Sequence, residues 1–255
     1  MHLIDTHIHL YAEEYDLDRK VLIEQAVEAG VSRFLMPNID TTSEDGLHLL
    51  AKEYPGVCIP MMGLHPCYVK ENYKDELENV YRHLKIGNYC AIGEIGMDKY
   101  WSIDFIIQQE EALRQQLIWS HELNLPVALH TRNATEEVVN LIQDLNLKGL
   151  KGVFHCFSGD LNQAEQITGM GFHLGIGGVL TFKNSGLDKV VEKIAIQHLV
   201  LETDGPYLAP APYRGKRNDP AYIKLVAEKM AQIKNISLEE VAETTTKNAK
   251  ELFAL

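Results

Sequence analysis

The sequence predicts an α/β fold of the (β/α)8, or TIM-barrel, type, with a doubly wound open sheet as the alternative layout. Three observations lead there. Short runs rich in apolar and β-branched residues alternate with longer amphipathic stretches along the chain. Eight such runs fit within 255 residues, which is the size and rhythm of this barrel. Ionisable residues recur where those runs give way to loops, and such a barrel gathers its chemistry at the C-terminal ends of its strands.

The expected strands, in order, are LIDTHI (3–8), RFLMP (33–37), VCIPMMG (57–63), YCAIGEI (89–95), PVALHT (126–131), GVFHC (152–156), FHLGI (172–176) and HLVLET (198–203). Between them the apolar period lengthens. Ile106, Leu113 and Leu117 share one face of a helix over 105–124, and Val138, Leu141, Ile142 and Leu145 one over 134–147. Asp219-Pro220 reads as an N-cap followed by proline at the first helical position. Ser237-Leu238-Glu239-Glu240 fits a capping box for the last helix. The chain has no Pro/Gly/Ser-rich linker and no repeat beyond the βα alternation, so one domain over residues 1–255 is expected.

Composition narrows the function classes. The chain is 45% hydrophobic and 24% charged, as ordinary globular proteins are. Its four cysteines, Cys58, Cys67, Cys90 and Cys156, form no C-x-x-C pair and no disulfide-like spacing. With no secretory signal, a reducing cytoplasm is expected. No apolar run approaches the ~20 residues of a membrane helix, so no membrane partner is expected. A net charge of −12 argues against a broad duplex-coating surface, because phosphate affinity rests on Lys and Arg. It leaves room for a small site where metal ions supply the positive charge.

The strand ends carry the chemistry. In IDTHIHL, His7 and His9 point the same way along an extended chain. His65 follows the third strand, and Glu94 ends the fourth. His130 and His155 end the fifth and sixth, and Asp204 follows the eighth. Singly, each is more often a hydrogen-bonded rim residue or a turn former. Together they would crowd one barrel mouth with imidazoles and carboxylates, an arrangement that bound metal relieves. The donor count suits two divalent ions, and the donor types leave Mg²⁺, Mn²⁺ and Zn²⁺ open. Barrel order pairs His7 and His9 with Asp204 around one ion and His130 with His155 around the other. Glu94 lies between and can bridge. Two ions ~3.5–4 Å apart suit attack of water on phosphorus or carbonyl carbon. Asp204 is then the natural proton acceptor. Glu202, two residues before it, is expected to face the same way and assist as a second catalytic carboxylate, the competing reading being a buried ion-pair partner.

The motifs IDTHIHL, GLHP, IGEIGMD, LPVALHTRNA, FHCFSGD, GIGGVLTFKN and LETDGPYLAPAPYRGKRNDP together resemble the TatD family of metal-dependent hydrolases, within the wider amidohydrolase-like barrels. The resemblance runs from end to end. It implies a TIM barrel, a divalent metal pair at the C-terminal mouth, and nuclease activity that removes nucleotides from DNA ends, often single-stranded. Carried over residue by residue, it implies the ligands His7, His9, Glu94, His130, His155 and Asp204. Lys99 and Asn133 depart from the usual pattern, and neither is one of those ligands.

Substrate contacts are expected from the same loops. Arg132, Lys183, Arg214, Lys216 and Arg217 could hold phosphates, and Arg suits bidentate contact. Tyr207, Tyr100 and Trp101 could stack on unpaired bases, and His65 could donate to a phosphate oxygen. The expected activity is a metal-dependent 3′-5′ exonuclease on single-stranded DNA or strand ends, with RNA left open. The alternative is hydrolysis of an ester or amide, such as an aminoacyl-tRNA ester, on the same metal pair. A non-enzymatic scaffold would have lost ligands, and none is lost. Oligomeric state stays open, a monomer included.

Overall fold

Each short apolar run alternates its side chains between two faces, so a closed ring of such strands must bury both faces, one inside the ring and one under helices. The computed structural model describes residues 2–255 and adopts this solution. Strands β1 (Leu3–Asp5), β2 (Val31–Met36), β3 (Cys58–Pro60), β4 (Ile92–Gly96), β5 (Val127–His130), β6 (Gly152–Phe154), β7 (His173–Ile176) and β8 (Leu199–Leu201) are parallel to their neighbours in chain order. The helices that return the chain are α1 (Arg19–Glu28), α2 (Glu44–Glu53), α3 (Tyr73–Ile86), α4 (Ile106–Leu123), α5 (Thr135–Leu145), α6 (Leu161–Gly169), α7 (Leu187–Lys193) and α8 (Ile223–Lys234). A last helix, α9 (Leu238–Phe253), follows β8 and α8.

Regular pairing runs β1-β2-β3 and β4 through β8, and backbone hydrogen bonds close the two seams. Between β3 and β4, Cys90 N–H donates to Pro60 O (3.1 Å) and Gly93 N–H to Met62 O (3.1 Å). Between β8 and β1, Thr6 N–H donates to Leu201 O (3.0 Å), Asp204 N–H to His7 O (2.9 Å) and His9 N–H to Gly205 O (2.8 Å). The fold is therefore a closed (β/α)8 TIM barrel, and the open-sheet alternative is set aside. All eight expected strands are present, most of them shorter than the apolar runs that signalled them.

The alternation separates two cores. Ile4, Leu35, Met61, Ala91, Ala128, Val153 and Val200 form a cluster with Ala249, Leu252 and Phe253, so the end of α9 packs onto the ring's interior layer. Their neighbours, such as Leu3, Phe34, Ile92, Leu129 and Phe154, pack with the helices. Asp219 caps the turn before α8 by accepting from Ala221 N–H, and Ser237 caps α9 by accepting from Glu240 N–H at 3.0 Å. Each satisfies an otherwise orphaned helix donor.

At the top of β4 the backbone presses against β5. Gly96 has φ +151°, and a Cβ there would stand 1.9 Å from His130 O. The contact holds His130 close to Glu94. Gly96→Ala is expected to cost about 2–4 kcal/mol through backbone strain and overpacking. Gly149→Ala, at φ +81° with nothing within 4 Å among the described residues, should cost only about 1 kcal/mol. Urea midpoints of the two variants check this, and equal shifts would mean the close approach is absent.

Candidate metal centre

Glu94 is the hub of the mouth. It projects from β4 into a site where it is only 2% exposed, and it divides its two oxygens between two groups of imidazoles. Oε2 faces His7 Nε2 at 3.0 Å and His9 Nε2 at 3.6 Å. Oε1 faces His130 Nδ1 at 2.8 Å, His155 Nε2 at 2.8 Å and His65 Nε2 at 3.2 Å. Asp204 Oδ1 closes the His7/His9 side, 3.9 and 3.8 Å from their Nε2 atoms. The structure thus brings together His7, His9, Glu94, His130, His155 and Asp204, with His65 beside them.

Hydrogen bonds on the far side of each ring decide what it offers the site. The Tyr11 hydroxyl donates its one proton to Pro37 O (2.5 Å), so at 2.9 Å from His9 Nδ1 it can only accept. His9 Nδ1 therefore carries the proton, and its Nε2 lone pair is free toward Glu94 and Asp204. His130 Nε2 lies 2.7 Å from Asp98 Oδ2, which leaves Nδ1 facing Glu94. An outer carboxylate that orients a ring in this way is the usual companion of a metal-ligating histidine. His65 is the opposite case. Its Nδ1 accepts from Cys67 N–H at 3.1 Å, so Nε2 carries the proton and points inward as a donor. Cys67 also lies among His65 and His130, with ligand atoms within 4.8 Å of one another. Burial pushes its thiol up to about 12, so it brings no negative charge.

The donor set fits divalent cations. Besides His65, Cys67 and His130, three further groupings have ligand atoms within 4.8 Å of one another: His7, His9 and Glu94; Glu94, His130 and His155; and His7, His155 and Asp204. His155 Nε2 and His130 Nδ1 face each other at 3.5 Å, and two lone pairs there need a proton or a metal ion between them. The buried Nδ1 atoms of His7 and His155 have no hydrogen-bond partner among the described residues.

The charges follow from burial and neighbours. Burial would push Glu94 up, but His155, His65 and His7 hold its carboxyl well below the usual range. Burial lowers His155 and His130, yet the carboxylates outweigh it. Glu94 and Glu202 hold His155 well above its ordinary value, and Asp98 and Glu94 raise His130. Burial, joined by the charge of His155, lowers His7 to about 4, and it carries His9 well below its usual value. Burial lifts Asp204 to about 7 against the pull of His155. Without metal, then, the His130/His155 side holds protons while His7 and His9 are neutral.

Two expected roles need correction. Glu202 does not open onto the mouth as Asp204 does. Strand β8 ends at Leu201 and Asp204 takes φ +56°, so alternation does not carry that far. Glu202 is fully buried behind His155. Its Oε1 accepts from Cys156 N–H (2.5 Å) and lies 3.6 Å from His155 Nδ1, beyond hydrogen-bond reach. Its carboxylate fits because Gly175 lacks a side chain, since a Cβ there would meet Glu202 Oε2 at 2.2 Å. Arg217 is not a free phosphate ligand. It forms a two-pronged pair with Asp18 (2.6 and 2.8 Å) and donates to Glu14 O. Arg132 and Arg214 are exposed and lie over aromatic rings, and Lys183 is exposed in the loop after β7.

Three supporting residues escaped the strand-end pattern. Asp98 orients His130, and Tyr11 orients His9. Asp5, fully buried, accepts from Thr203 N–H (3.0 Å), Thr203 Oγ1 (2.5 Å) and His7 N–H (3.3 Å), tying the β1 and β8 ends together under the site. Burial raises its carboxyl to about 8. Asp98 lies in the quoted IGEIGMD run, but no local spacing distinguishes a ring-orienting carboxylate from a turn former.

Comparison with known proteins agrees with this geometry. A family model described as TatD related DNase matches residues 4–254. The chain is 38% identical over 257 residues to the uncharacterized metal-dependent hydrolase YabD of Bacillus subtilis (strain 168), covering 99% of each chain. It is 31% identical over 260 residues to the 3'-5' ssDNA/RNA exonuclease TatD of Yersinia pseudotuberculosis serotype O:3 (strain YPIII), covering 99% of this chain and 100% of that one. Among solved structures, YJJV, a TatD homologue from Escherichia coli K12, superposes with a TM-score of 0.93 at 27% identity, over 99% of this chain and 98% of that one. A barrel whose mouth gathers five imidazoles around a shared glutamate, matched end to end by these relatives, belongs to the TatD family of metal-dependent hydrolases.

Proposed function

We propose that this hydrolase cleaves phosphodiester bonds of nucleic acid as a 3′-5′ exonuclease on single strands, with two divalent ions at the barrel mouth. The observation that carries the reading is the division of Glu94 between two imidazole groups, one oxygen to each. A shared carboxylate of this kind is what a two-metal hydrolytic centre needs. His7, His9 and Asp204 would hold one ion, His130 and His155 the other, and Glu94 would bridge. The exonuclease name carried by the Yersinia relative, and Arg132 and Arg214 at the mouth, support nucleic acid as the substrate. The chain is proposed to act as one domain. No helix among the described residues is long and apolar enough to cross a membrane, and a cytoplasmic location is proposed with the four cysteines free.

When bound, the ions supply Lewis acidity to the phosphoryl group and positive charge to the transition state. The protein does the rest. Asp204, whose Oδ1 faces the His7/His9 side of the centre, accepts the proton of the attacking water. His65 Nε2–H points into the site and donates to a non-bridging phosphate oxygen. Asp98 and Tyr11 keep His130 and His9 in the ring orientation the site requires, and Glu202 backs His155 from behind.

Three outcomes test this reading. On a 5′-labelled single-stranded oligonucleotide with Mg²⁺ or Mn²⁺, products should shorten from the 3′ end one nucleotide at a time, and EDTA or Asp204→Asn should abolish them. An intact oligonucleotide beside a cleaved aminoacyl ester would move the assignment to the ester reading. Asp98→Ala should weaken metal binding about 10–100-fold while leaving every ligand in place; unchanged affinity by calorimetry would remove Asp98 from the centre. Metal binding must also displace protons from His130 and His155, whose affinities are raised, and from Asp204. Apparent metal affinity should therefore rise with pH through neutrality. Titration in buffers of different ionisation enthalpy should reveal proton release, and a pH-independent affinity would contradict the charge assignment.

A further inference from the structure

Among the cation-on-aromatic contacts at the barrel mouth outside the hydrolytic centre, strand order sets two groups about three strands apart around it. In the loop after β4, Tyr100 and Trp101 are 53% and 69% exposed, with ring centroids 5.1 Å apart and nearly perpendicular planes. Arg132, from the loop after β5, lies 3.8 Å from the Tyr100 centroid and 5.6 Å from that of Trp101. Three strands further round the ring, Arg214 lies 4.4 Å over Phe182. Tyr100 and Trp101 are exposed and Phe182 is half-buried; aromatics held by a cation rather than fully buried are surfaces on which unpaired bases stack.

The second pair lines a cavity. Phe182, Tyr207, Arg214 and Lys216 surround a volume of about 570 Å³, with Glu14 and Arg217 also on its wall. That volume is in the range of small-molecule sites. The cavity adjoins the centre directly. Tyr207 N–H donates to Asp204 O (2.9 Å), and the Tyr207 ring lies 6.2 Å from that of His9. Its walls are fixed in advance. Asn218 Nδ2 donates to Thr203 O and to Tyr207 O, both at 2.7 Å, and the Arg217–Asp18 pair anchors the far end of the loop. In a chain of net charge −12, Arg214 and Lys216 give this rim a local attraction for anions.

We propose that the cavity beside Asp204 seats the terminal nucleoside of a single strand, its base stacked between Tyr207 and the Arg214–Phe182 pair. Tyr100, Trp101 and Arg132 then carry the strand leaving the centre on the other side. This rests on the nuclease reading and specifies it: the cavity selects a chain end. Water oxygen joins the phosphorus, the P–O3′ bond breaks, and the O3′ of the shortened strand takes up the proton. The nucleoside 5′-phosphate leaves from the cavity. A paired terminal base cannot enter both stacks, so single strands and frayed ends are the substrates.

The test is equilibrium binding. Thymidine 5′-phosphate probes the cavity, and a phosphorothioate-linked octathymidylate probes both sides, in Mg²⁺ with the whole protein. Tyr207→Ala and Phe182→Ala should each weaken the mononucleotide about tenfold, and Trp101→Ala should leave it unchanged. Trp101→Ala should weaken the octamer about tenfold. The octamer, but not the mononucleotide, should quench Trp101 fluorescence, whereas Trp119 is buried and stacked on Tyr81. Nuclease activity with mononucleotide binding indifferent to Tyr207→Ala would overturn the cavity assignment alone, and octamer binding without quenching would overturn the platform. Protein that degrades no oligonucleotide and binds neither probe would overturn the nuclease reading and the inference together.

Discussion

A single buried carboxylate organises the mouth of this barrel. Glu94 meets five imidazoles in a site from which water is nearly excluded, and isolating its charge there would be costly without them. Neutral imidazoles alone do not balance the arrangement, because each has one N–H and several of those point away from the site. The metal-free protein resolves the conflict with protons on His130 and His155. Divalent ions can take the place of those protons: the His9 lone pair already aims inward, and His130 Nδ1 offers one once its proton is displaced.

The scaffold serves that arrangement at each level. Parallel strands place the ends of β1, β4, β5, β6 and β8 around one opening. The tight β4–β5 approach at Gly96 sets the distance from Glu94 to His130, and the Asp5–Thr203 bonds fix His7 relative to Asp204. Outer partners then set ring orientation through Tyr11 and Asp98. The side chains gathered there come from five strands or the turns that follow them, so the site exists only when the barrel closes, and its preorganisation derives from the hydrophobic ring beneath it.

Much of this was legible in the sequence because strand periodicity and barrel chemistry are both positional. Eight apolar runs marked the strands, and the ionisable residues at their ends marked the site. His7 and His9 could be paired from spacing alone because the chain stays extended through them, even though regular β1 stops at Asp5. The same reasoning failed at Glu202, where a left-handed residue at Asp204 breaks the alternation two positions later. It failed at Arg217 because its partner, Asp18, is 199 residues away, a contact that composition cannot signal. Asp5 was hidden inside a strand run, since a buried carboxylate looks like any other acidic residue until its donors from Thr203 are seen.

The account turns on Glu94 joining two ions, and the most direct measurement is electron paramagnetic resonance of the Mn²⁺-loaded protein, wild type against Glu94→Gln. The account predicts an exchange-coupled pair signal in the wild type and its loss in the variant. Only uncoupled, mononuclear Mn²⁺ in the wild type at full metal loading would contradict it.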